Sequence, residues 1–147
     1  PAHMIRLTTY FAALFLATAL LAHQGVQNPG VMARMNAMLA VGKSTDVLKD
    51  MAGAKRPFDT DIARAAKVAI LDHLRQSEAL FQEPHTDPMT EALPAIWEDF
   101  RGFKRALRAS EKSVRKFDLY SLETLRATLP AAGQGCSDCL KLYRLKK

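Results

Sequence analysis

The chain has 147 residues, of which 48% are hydrophobic, 24% charged and 7% aromatic, with 7 Gly, 7 Pro and 2 Cys. That profile excludes a collagen, a disulfide-dense toxin scaffold and a fully disordered chain, and it leaves one ordinary globular domain whose core can form without a metal or a disulfide network. The net charge of +6 is lopsided, because residues 101–147 carry twelve Lys or Arg against four acids while the first hundred residues carry nine against eleven. These bases are spread along predicted helices with little aromatic interleaving, which reads as a solvated face or a docking face for an acidic protein partner and gives no support to nucleic-acid binding.

In chain order, Pro1-Ala2-His3 ahead of Met4 reads as an expression scar (residues 1–3). Arg6 and the sixteen uncharged residues Leu7 to Ala22 have the layout of a secretory signal peptide over residues 4–22, with Ala19 and Ala22 as cleavage positions. The run is short for a membrane span. The expected address is therefore the bacterial periplasm. An uncleaved leader would be an N-terminal apolar helix, the only membrane attachment, expected to pack on the domain or on a neighbouring chain. Residues 23–30 are a Gly/Gln/Asn/Pro spacer, and residues 31–147 are the helical domain.

Within it, Pro29 and Gly30 suit a helix start. The first helix is expected over Val31 to Met51, with Met35, Met38, Leu39, Val47, Leu48 and Met51 at three- and four-residue spacing. Gly53 and Pro57 stop it. Asp59 or Thr60 caps a second helix carrying Ile62, Ala66, Ile70, His73, Leu74, Leu80 and Phe81, which ends before the turn-forming Glu83 to Pro88 segment. A third helix starts near Pro94 and turns Ile96, Trp97, Phe100, Phe103 and Leu107 inward, up to a break at Asp118 to Ser121. The fourth opens at Ser121, is interrupted from Pro130 to Gly135, and resumes through Cys136, Cys139, Leu140 and Tyr143. Four amphipathic helices with short connections and no strand-type alternation predict an all-α fold, an antiparallel four-helix bundle.

Cys136-Ser137-Asp138-Cys139 is the compact chemical motif. In an exported chain such a pair closes a disulfide, holds a soft metal, or adds to haem vinyl groups as thioethers. Covalent haem attachment normally carries a His after the second Cys as the proximal iron ligand. Here that position is Leu140, which cannot ligate.

With these residues in view, the chain resembles the cytochrome c prime family, four-helix-bundle c-type cytochromes of the periplasm. The resemblance runs from about Gly30 to Lys147 and is carried by Arg34 to Met38, by Leu93 to Phe100 with Phe103-Lys104, and most specifically by Gly135-Cys136-Ser137-Asp138-Cys139-Leu140 with Tyr143-Arg144. It implies thioether positions at Cys136 and Cys139, Met38 over the distal haem face, and Arg34 and Arg144 at the pocket edge, able to meet propionates. It also implies gas binding (nitric oxide, carbon monoxide) or electron transfer, and a homodimer paired through the first two helices. Leu140 is the departure, a degenerate proximal ligand.

The expectation drawn from that departure is a relative with no cofactor, acting as a binding or interaction protein that retains the Cys136/Cys139 pair, its old haem space filled by larger side chains, helix collapse or the leader. A covalent haem c protein with unusual ligation is the alternative. A Cu(I) site of Cys136, Cys139 and Met38 is the second alternative. The Met32, Met35, Met38 run is otherwise core filler, and His73 and His85 have no partner at ligand spacing. No acid-base pair, phosphate loop or nucleophile motif supports an enzyme.

Overall fold

The start of each of the four long helices in the computed structural model, which describes residues 25–146, is fixed by a short polar side chain that satisfies otherwise unpaired amides. Helix α1 (Pro29–Ala52) opens under Asn28, whose side-chain oxygen accepts from Gly30 N at 2.9 Å and Val31 N at 3.2 Å. It begins two residues earlier than the periodicity indicated, because Pro29 fits the first helical position. Helix α2 (Thr60–Leu80) is capped by Asp59, which accepts from Asp61 N and Ile62 N at 2.9 Å.

The third predicted helix is split. A single turn, α3 (Ala95–Glu98), stops at Asp99, and α4 (Phe100–Arg115) starts there with the Asp99 carboxylate accepting from Gly102 N at 2.9 Å. A Cβ at Gly102 would press on that carboxylate and turn it aside, so glycine leaves the cap undisturbed. Helix α5 (Leu122–Tyr143) opens with a reciprocal Ser121/Thr124 capping box.

Helix α5 is continuous through Pro130, which corrects the predicted interruption. Pro130 removes one intrahelical donor but is itself exposed, so the carbonyl it leaves unpaired faces solvent, while Ala132 (1% exposed) and Leu125 (0%) hold the helix against the core on either side.

The four long helices close a square: α1 packs on α2, α2 on α4, α4 on α5 and α5 on α1, with no diagonal packing. This is the expected all-α four-helix bundle. Its core is Leu48, Met51, Ile70, Leu74, Phe103, Leu107, Val114 and Leu125, all under about a twentieth exposed. No helix among the described residues is long and apolar enough to cross a membrane. The scar, the leader and its expected packing lie outside the described residues.

Candidate functional site

The site is built where α5 leans on α4 and stands off from α1. A Cβ at Gly135 would lie 2.3 Å from Ser113 Oγ and 2.6 Å from Ser113 Cβ, so only glycine lets the two helices meet there. Ser110, 1% exposed, locks the contact by donating from its hydroxyl to Ala106 O at 3.1 Å and Gly135 O at 3.2 Å. Cys136 and Cys139 follow on this helix as two half-buried free thiols. Burial pushes both thiols above their usual range. For Cys139 a hydrogen bond with the Ser110 hydroxyl partly offsets burial, and Cys136 adds a push upward. Burial thus favours the neutral form of both thiols at rest.

Two cavities flank the cysteines. The larger, about 540 Å³, lies between α1 and α5 over a floor of Ile70, Val114 and Phe117 and is bordered by Cys136. The smaller, about 110 Å³, runs toward Phe81, Ile96 and Phe103 and is bordered by Cys139. Met38, Leu140 and Arg144 border both. The larger volume falls within the range of roughly 300–1,000 Å³ typical of small-molecule and cofactor sites. This corrects the expectation of a filled space: neither larger side chains nor helix collapse close it, because Gly135 ties α5 to α4 rather than to α1.

Of the residues assigned to the pocket, Arg34 differs most from expectation. It does not sit at a solvent edge but is 3% exposed. Its Nε donates to Leu80 O at 2.9 Å, Nη1 to His85 O at 3.0 Å, and Nη2 to Glu83 O. The guanidinium carbon lies 5.0 Å from the Phe81 ring centroid and 4.9 Å from that of Trp97. A buried cation with no carboxylate partner is normally costly. Here the carbonyls at the C-terminal end of α2 supply the negative pole, and two ring faces supply the rest. Arg34 therefore positions the loop that roofs the smaller cavity. Arg144, exposed at the mouth with Nε 3.8 Å from a Glu91 carboxylate oxygen, is the arginine free to reach a ligand's acidic edge.

Sequence reasoning missed three parts of the site. Tyr143 stands edge-on to Phe103 at 5.2 Å, within a run of rings that continues through Phe81 and Trp97. The segment Glu91 to Leu93 pairs with the end of α5, Leu93 N donating to Tyr143 O at 3.0 Å and Leu145 N to Glu91 O at 2.8 Å. The third is the Gly135 contact. Helical periodicity carries no signal for pairings this far apart in sequence. His73, by contrast, borders neither cavity, and its buried Nδ1 has no hydrogen-bond partner. The described residues contain no cluster of three or more His, Cys, Asp or Glu able to hold a metal.

The family model described as Cytochrome C' matches residues 30–144. Cytochrome c-556 of Agrobacterium tumefaciens (strain II Chrys) is 31% identical over 118 residues, covering 78% of this chain and 95% of that protein. Cytochrome c' of Rubrivivax gelatinosus is 29% identical over 128 residues, covering 82% and 98%. Among solved structures, the cytochrome c' of Rubrivivax gelatinosus superposes with a TM-score of 0.66 at 25% identity, covering 78% of this chain and 94% of that one. A nitric oxide complex of an Alcaligenes xylosoxidans cytochrome c prime variant gives 0.69 at 25% identity, covering 80% and 94%. These matches overturn the expectation of a protein with no cofactor: the family model and the relatives alike are cytochromes, a haem c family, and the cavity beside the cysteines is open.

Proposed function

The chain belongs to the cytochrome c prime family of haem c proteins, and from that premise we propose that it is an exported haem c protein with haem held through Cys136 and Cys139, serving electron transfer or the binding of diatomic gases and not catalysis. The observation that carries this reading is the placement of the two thiols, one on each of two adjoining apolar cavities that share Met38, Leu140 and Arg144 as walls. The residues present fit a haem in volume, apolar lining and thiol positions, with Leu140 standing where the attachment motif normally carries a histidine.

Bound haem supplies an iron that changes oxidation state by one electron and keeps a coordination position for a small gas. The chain does the rest. Cys136 and Cys139 would hold the group by adding their S–H bonds across its two vinyl groups, sulfur to one carbon and hydrogen to the other, with no oxidant or leaving group required. Ile70, Val114 and Phe117 exclude water from the floor, and the Arg144 guanidinium is placed for a propionate at the mouth. The Alcaligenes xylosoxidans relatives, crystallised with nitric oxide and with carbon monoxide, support the gas-binding arm. Export to the periplasm rests on the leader over residues 4–22, ahead of the spacer (23–30) and the domain (31–147). Pairing into a homodimer through α1 and α2 is supported by Leu39, Ile62 and Val68, which are 48%, 43% and 51% exposed there.

The test is expression with export and haem-attachment machinery, followed by a haem-stained denaturing gel and a pyridine haemochrome spectrum. Covalent haem that disappears in a Cys136→Ala, Cys139→Ala double variant is the expected result. A protein that stays colourless overturns the reading.

A further inference from the structure

We propose that Tyr143 is a redox-active residue of the haem site, supplying an electron and a proton when the reduced protein discharges hydrogen peroxide. This inference rests on the haem c reading above and goes beyond it, because carrying electrons or holding a gas does not call on a tyrosine. It begins with electron counting. Peroxide takes two electrons and two protons as its O–O bond breaks, giving two waters. A ferrous haem gives one electron and becomes ferric, so the other must come from the chain. Tyr143 gives it together with the phenolic hydrogen, becoming a neutral tyrosyl radical, and solvent gives the remaining proton. Each reduced protein discharges one peroxide, a single event and not a turnover.

Place selects the donor. Tyr143 follows Cys139 by one turn of α5, so the two share a face of that helix, and both border the cavity of about 110 Å³. Its ring is held edge-on to Phe103 at 5.2 Å, yet the residue is only half-buried, so it joins the cavity wall to solvent. Burial first, and the charge of Asp99 second, hold the phenol in its protonated form, which lets electron and proton leave together. Asp99 is exposed at the start of α4, 3.6 Å from Arg105. Its negative charge draws the departing proton outward to solvent.

The other oxidisable side chains fail on place, partner or chemistry. Trp97 borders neither cavity, lies 4.9 Å from the Arg34 guanidinium carbon, and donates from Nε1 to Phe81 O at 2.8 Å. A fixed cation over the ring opposes the positive charge that a lost electron leaves, and a carbonyl is too weak a base to take the indole proton. Phe81 and Phe103 carry no acidic hydrogen to release. Tyr120 is 88% exposed and precedes α5, so it lies about 33 Å of helical rise from Tyr143, at the far end of the bundle. Met35 and Met38 border the same cavity as Tyr143, but a thioether is oxidised by gaining an oxygen atom, a two-electron change that does not answer a one-electron demand. Both cysteine sulfurs are already spent on haem attachment.

The experiment uses the ferrous, haem-loaded full chain kept free of oxygen, with less than one equivalent of hydrogen peroxide as the probe and rapid freezing for electron paramagnetic resonance. Pyridine haemochrome quantitation comes first, since a protein without covalent haem sinks the haem c reading and this inference with it. In loaded protein, the expected outcome is an organic radical whose hyperfine pattern narrows with deuterated tyrosine, persists in Trp97→Phe and Tyr120→Phe, and is missing in Tyr143→Phe. Phenylalanine keeps a ring against Phe103, so haem loading of that variant is expected to match the parent. Stoichiometry gives a second readout. The parent is expected to lose one ferrous haem per peroxide and Tyr143→Phe two, because the variant must draw its second electron from another haem. A radical that survives in Tyr143→Phe, or an equal ratio of haem oxidised to peroxide in the two proteins, overturns the inference while leaving the haem c reading standing.

Discussion

The seam between α1 and α2 and the seam between α1 and α5 share a helix and end differently. Along the first, Ala37, Leu48 and Met51 meet Ala63, Ala66, Ile70 and Leu74, each under about a tenth exposed, and small side chains let the helices close. Along the second, Met38, Val41 and Thr45 face Leu129, Cys136 and Leu140 across a cavity of about 540 Å³. The difference teaches that the site is not a poorly packed core. Its opening is held by close contacts elsewhere, at Gly135 against Ser113 and at Arg34 against the end of α2. The closed seam carries stability, and the open one is where we propose that haem is held.

The sharpest way to break that comparison is at Arg34. Arg34→Ala leaves the part-buried carbonyls of Leu80, Glu83 and His85 without their donor and removes two ring contacts, so a loss of about 2–4 kcal/mol is expected in urea unfolding. Lysine at 34 is expected to recover less than half, because a point charge cannot reach three carbonyls at once. Leu48→Ala, on the closed seam and 0% exposed, is expected to cost about 2–5 kcal/mol. Leu140→Ala, on the open seam, is expected to stay within about 0.5 kcal/mol. Equal costs for Leu48 and Leu140 would erase the distinction between the seams.

Gly135→Val tests what holds the site open. The added carbons meet Ser113 at separations no side chain tolerates, so a loss of about 1–3 kcal/mol is expected together with a lower yield of covalent haem, measured by haemochrome against total protein. A stability loss with full haem loading would separate the Gly135 contact from the placement of the cysteines.

The smallest effect is one of pH. Burial favours the neutral thiols of Cys136 and Cys139, so in the haem-free chain their contribution is complete below the unfolded-chain value near about 8.5 and is lost as pH rises through the higher folded values. Urea midpoints should therefore fall at alkaline pH in the haem-free chain and not in the Cys136→Ala, Cys139→Ala variant or in haem-loaded protein, where the sulfurs do not ionise.

Much of this was legible before any coordinates. Pro29, Asp59 and Ser121 announce their helices because a first-turn proline or a side-chain oxygen beside free amides is a local arrangement, complete within four residues of chain. The Cys136 to Cys139 spacing and the Tyr143-Arg144 pair announce the family for the same reason. Local rules went wrong where the tertiary structure overrides them. Pro130 was read as a break, yet packing of Leu125 and Ala132 carries α5 through it. Leu140 was read as evidence against haem, although the missing ligand says nothing about the space beside it.

Sequence alone thus determined the four-helix plan, its inward faces, the Asp59 and Ser121 caps and the presence of two thiols on one helix, all set by residues within a turn or two of each other. The tertiary structure decided which seam closes and which stays open, that Arg34 is spent on the end of α2, and that Met38 borders the same cavities as both cysteines. Those outcomes depend on pairings between residues 46 to 98 positions apart, such as Arg34 with Leu80 and Met38 with Cys136 around one cavity. Chain distance of that order is closed only by packing, because no local preference reaches across it.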